Sequence, residues 1–68
     1  MRRGMSETFE LRILDADGGE RRVFVACPVE DIVRLARLRL AQHGVAAVQV
    51  WQKGEHLATL EPPEALRR

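Results

Sequence analysis

Two histidines, one cysteine and one tryptophan are the side chains of this chain with the most chemistry to offer, and their positions limit what they can do. Histidine titrates near neutrality, which makes His56 the natural candidate for acid–base work. A general base also needs a cleft, an orienting partner and a nucleophile or substrate. The stretch "VQVWQKGEH", residues 48–56, reads as a tight hairpin on an open sheet and supplies none of these. His43 falls near the end of a predicted helix, where an imidazolium suits the dipole. Neither histidine has a carboxylate at ligand spacing, so no metal site is expected. Cys27 stands just before a helix start, a placement that lowers thiol pKa values. Its phase, however, puts it on the core face with Val23 and Val25, as a buried structural thiol. "DADGG", residues 15–19, carries the DxDG that opens a calcium loop, but Glu20 is too close to be the distal bidentate ligand. It is read as a turn. No P-loop, GxGxxG or GxSxG motif occurs, so no catalytic residue, cofactor or metal is assigned and no enzymatic activity is expected.

These residues must be held by few elements. In "TFELRIL", residues 8–14, Phe9, Leu11 and Ile13 alternate with Thr8, Glu10 and Arg12, the period of a half-buried strand. The "DADGG" turn returns the chain into "ERRVFVAC", where Val23, Val25 and Cys27 alternate with Arg22, Phe24 and Ala26, and the two strands form an antiparallel hairpin. Pro28 opens a helix predicted over residues 28–43, with Glu30 and Asp31 in its first turn and Gly44 as a left-handed terminator. Winding at about 100° per residue groups Val29, Ile32, Val33, Ala36 and Leu40 on the core face. Leu35 and Leu38 fall outside that arc, as lone exposed leucines or as a narrow second apolar stripe for a partner. Arg34 is spaced to pair with Glu30 or Asp31.

"VAAVQVWQ" and "EHLATLE" read as a closing hairpin joined by Lys53 and Gly54. With a two-residue loop Trp51 faces His56 and Val50 faces Leu57. Val48, Val50, Leu57 and Thr59 then point to the helix, and Gln49, Trp51, His56 and Ala58 point away. Leu60 would point outward, which suggests a bulge or shift near the strand end. Pro62-Pro63 stops the strand.

The result is an α+β, ββαββ unit: a four-stranded sheet with one helix on one face. The favoured strand order is 2-1-4-3, a minimal β-grasp arrangement that resembles immunoglobulin-binding bacterial domains and ubiquitin-like folds in element order alone. An antiparallel meander is the alternative. One domain over residues 8–62 is expected between a disordered segment, 1–7, and a short basic tail, 63–68. The uncovered face then carries Glu10, Arg12, Arg22, Phe24, Gln49, Trp51 and His56.

A chain of 68 residues buries only a thin core, so no deep, walled active site is expected unless two copies build it together. Hydrophobic residues at 46% and charged residues at 31% mark an ordinary globular chain rather than a disordered or membrane one. Eleven basic against 10 acidic residues create no field toward nucleic acid. One cysteine forms no internal disulfide and fits a reducing compartment. No apolar run follows Arg2 and Arg3, so neither a signal peptide nor a membrane span is expected, and the location is read as cytoplasmic. The end, Arg67-Arg68, lacks the diglycine of ubiquitin-like carriers, so no carrier role is expected.

"FELRILDADG", the Leu-, Ala- and Arg-rich helix and "VQVWQKGEHLATLEP" together resemble a type of short proteobacterial ββαββ protein with a closing V-x-V-W hairpin. That group has no established activity, and the resemblance implies a free-standing small domain without assigning any functional residue. The reading is a non-enzymatic protein-interaction or adaptor domain, self-association included. Its candidate interaction face is Trp51, Phe24, Arg12, Arg22 and His56 on the sheet, or Leu35 and Leu38 on the helix. A nucleic-acid-associated accessory protein using the arginines and aromatics of the sheet is the alternative.

Overall fold

A computed structural model of the chain describes residues 5–62. The elements follow the patterning: β1 (Glu7–Asp15), β2 (Glu20–Cys27), a 3-10 turn (Val29–Asp31), α1 (Ile32–Leu40), β3 (Val45–Gln52) and β4 (Glu55–Leu60). They make one α+β sheet-and-helix unit of ββαββ order. β1 begins at Glu7, inside the segment expected to be disordered, whose residues 1–4 lie outside the described residues, as does the basic tail, 63–68.

The strand order is β2-β1-β3-β4, antiparallel throughout, which corrects both the 2-1-4-3 order and the meander. The helix returns the chain to the far end of β1, so β3 runs antiparallel to it, with Leu11 opposite Val50 and Ile13 opposite Val48. Placing β4 there instead would have required a parallel pair, slightly less stable per residue. The composition of the two strands also favours β3. "VAAVQV" suits a central position, whereas the shorter "EHLATL" suits an edge.

Both turns use the conformations their residues permit. In the first, the Asp15 N–H donates to the Gly19 carbonyl at 2.8 Å and the Gly18 N–H to the Asp15 carbonyl at 3.0 Å, with Gly18 at φ 98°. Asp17 Oδ1 accepts the Gly19 N–H at 3.0 Å. In the second, Lys53 (φ 52°) and Gly54 (φ 77°) form the two-residue, left-handed loop that a tight hairpin needs. The Ala16 N–H donates to the Gly44 carbonyl at 2.8 Å and pins the helix exit to the first hairpin loop.

Phe9, Leu11, Ile13, Val48 and Val50 are fully buried under the helix, with Ile32 and Ala36 facing them. The helical face is rotated from the expected arc. Leu35 and Leu40 pack against the core, while Val29 and Val33 are exposed. A first turn wound as 3-10 advances the chain faster than an α-turn and carries Val29 out of phase. Regular α-helix also stops at Leu40, short of the expected His43. Of the two spaced ion pairs, Arg34 takes Asp31, at 3.2 Å.

The closing hairpin keeps Trp51 opposite His56 but shifts register between Val50 and Trp51. Val50 pairs with Ala58, Gln49 with Thr59 and Val48 with Leu60, which leaves Leu57 as the extra residue of a bulge. The expected faces beyond it are therefore exchanged. Ala58 and Leu60 pack on the core and Leu57 is exposed.

Candidate interaction surface

Registers across all four strands bring the sheet candidates together. Phe24, Glu10, Trp51 and His56 are successive cross-strand neighbours, and Arg22, Arg12, Gln49 and Thr59 form the adjoining row. Within these rows nearly every polar group already has a partner. Glu10 Oε2 accepts from Arg12 Nε at 2.9 Å and pairs with Arg22 Nε at 3.5 Å. Arg22 is also 3.5 Å from Glu20. The Arg12 guanidinium lies 3.8 Å from the centroid of the Trp51 ring, and the His56 ring meets that ring edge-on at 5.3 Å. Trp51 Nε1 donates to Gln49 Oε1 at 3.0 Å, and His56 Nε2 shares a 2.7 Å hydrogen bond with Thr59 Oγ1.

This arrangement orders side chains rather than reacting groups. Among the described residues the hydrogen-bond partner of the His56 ring is a hydroxyl on its own strand, that of Thr59. Among the described residues no three His, Cys, Asp or Glu side chains converge on a metal position. Cys27 is buried, and burial pushes its thiol above the ordinary value of 9.0. Asp31 adds to that rise, Arg34 opposes it and Glu7 adds further, so carboxylates cancel any help from the helix start.

Phe24 is the exception on this face. It is 69% exposed, beside a shallow recess of about 510 Å³ that Thr8, Glu10, Gln52 and Lys53 help to line.

The helix candidates separate. Leu35 enters the core margin, and Leu38 remains 60% exposed. Both still line one groove of about 270 Å³, with Leu11, Val25, Arg39 and Gln42. Its cause is geometric. α1 packs chiefly on β3, with lesser contact to β1 and β4, and a helix about 10 Å wide cannot span four strands set about 4.8 Å apart. β2 is left at the margin, and the helix-facing Val23 and Val25 are only half-buried.

Sequence reasoning placed both valines in the core and missed this uncovered strip. The signal was present in the count of one short helix to four strands. Both candidate surfaces thus meet along one strand: Phe24 on its open side, Val25 and Leu38 on its helix side.

Comparison of the chain with models of known families, with curated proteins and with solved structures returns no match. No described helix is long and apolar enough to cross a membrane.

Proposed function

We propose that this chain is a small, non-enzymatic, cytoplasmic protein-interaction domain whose docking region wraps the β2 side of the sheet. One observation carries the reading: Phe24 and Leu38, 69% and 60% exposed, flank the same half-covered strand from opposite faces. Exposed aromatic and aliphatic side chains around an apolar groove are the usual anchors of an interface. Trp51 is already engaged within the sheet, since Arg12 lies over its ring and His56 meets it edge-on.

Nucleic-acid association through Arg12, Arg22 and Trp51 has less support. Glu10 engages both arginines and Arg12 occupies the ring on which a base would stack.

Capture from extract of the native cell tests the interaction reading. Wild type and Leu57→Ala are expected to retain a common bound protein that Phe24→Lys and Leu38→Glu lose. Equal capture by all four would overturn the reading. Oligonucleotide titrations at two salt concentrations test the alternative, and binding that weakens steeply with salt would favour it.

A further inference from the structure

The two edges of the sheet differ in kind. β4 is six residues long and bulged at Leu57, and both features keep a sheet edge from pairing. β2 is eight residues long and pairs with β1 from Cys27 to Glu20 without a register shift. Among the described residues it has no strand on its other side.

The first hairpin fixes which backbone groups point outward. Asp15 bonds to Gly19, and bonded pairs alternate along an antiparallel ladder. Arg21, Val23, Val25 and Cys27 therefore bond to β1, while the N–H and C=O groups of Glu20, Arg22, Phe24 and Ala26 face away from it.

We propose that β2 pairs antiparallel with β2 of a second copy of this chain, about a two-fold axis through Phe24, to make one continuous sheet. This rests on the reading of the β2 side as an interaction surface and names its occupant.

Self-complementarity argues for a second copy over a foreign strand. With Phe24 on the axis, the exposed rings meet each other on the open face. Val23 faces the partner's Val25, and the reverse, where the helix leaves both half-covered. Arg22 faces the partner's Ala26, too small to obstruct it. Charge follows the same symmetry. β2 starts with Glu20, Arg21 and Arg22 and ends beside Glu7, its neighbour across Cys27, followed by Glu30 and Asp31. Antiparallel self-pairing brings Arg21 and Arg22, which pair with Asp15, Glu10 and Glu20 inside their own copy, toward the acidic end of the other strand and opposes no like charges. An axis through Arg22 would oppose like charges instead.

Sedimentation of the full chain from micromolar to millimolar concentration tests the proposal. Wild type and Leu57→Ala, on the far edge of the sheet, are expected to reach a dimer that Phe24→Lys weakens at least ~10-fold, with circular dichroism confirming that every variant folds. Register is read by oxidation in a Cys27→Ala background. Phe24→Cys is expected to give a disulfide-linked dimer. Arg21→Cys is not, because its two copies lie about 20 Å apart along the paired strands.

A chain monomeric throughout the range overturns the second-copy occupant, and loss of extract capture in Phe24→Lys would then leave the interaction surface itself standing. A dimer broken by Leu38→Glu but not by Phe24→Lys overturns edge pairing in favour of the helix groove. Equal cross-linking at the two positions overturns the register and with it the proposal.

Discussion

Trp51 owes its position to three neighbours, each placed by strand register: Arg12 on its face, His56 at its edge and Gln49 at its ring nitrogen. A partly exposed cation–π contact is worth about 0.5–1 kcal/mol. Arg12→Ala should lower stability by about that much and alter Trp51 fluorescence emission, because water then reaches the ring. Cys27 gives the clearest pH dependence. Its thiol holds a proton more tightly folded than unfolded, so its contribution is whole below the unfolded pKa near 9.0 and is lost as pH rises through the folded value. The chain has no tyrosine and a single lysine, so few other groups titrate in that window. Thermal melts from about pH 8 to about pH 10.5, across the thiol range, should show a steeper loss of stability in wild type than in Cys27→Ala. Slow alkylation of the native thiol at neutral pH follows from the same burial. The buried Cys27 was legible from its alternation with Ala26. The pairing of both sheet arginines with Glu10 was not, since composition reports a charge balance and not which carboxylate meets which guanidinium.

At the scale of elements, the bulge in β4 is the decisive departure from simple alternation. "HLATL" can present either Leu57 and Thr59 or Ala58 and Leu60 to the helix. An unbroken pleat gives the first pair, which leaves a threonine inside and Leu60 in water. One extra residue at Leu57 gives the second, with two apolar side chains on the core. Leu60→Ala, at a partly buried position, should therefore cost about 1–2 kcal/mol, whereas Leu57→Ala should cost less than about 0.5 kcal/mol. Urea denaturation of the two variants checks the ordering, and an equal cost would argue against the bulge. Both hairpins, their turns and the position of the helix could be read from spacing and turn chemistry. The helical phase could not, because a 3-10 first turn is set by how the chain leaves Pro28 rather than by an apolar repeat.

For the whole molecule, a core of so few side chains leaves little margin. Small domains retain only about 5–15 kcal/mol of net stability. Phe9→Ala removes the largest fully buried side chain and should cost about 3–5 kcal/mol, seen as a collapse of the denaturation midpoint. Element order was enough to establish the ββαββ class. Which strand sits beside β1 depended on the competition between β3 and β4, decided by the apolar run from Val45 to Val50 against a polar, shorter rival. The off-centre helix has one more consequence, in the exchange of backbone amides with solvent. Opening β1 or β3 uncovers the fully buried side chains, so their shared amides exchange only through global unfolding. Peeling β2 away uncovers much less, chiefly half-covered Val23 and Val25 with Cys27. The amides of those three residues should exchange through a cheaper local opening, and a strand clamped on the other side of β2 at high concentration should slow them selectively.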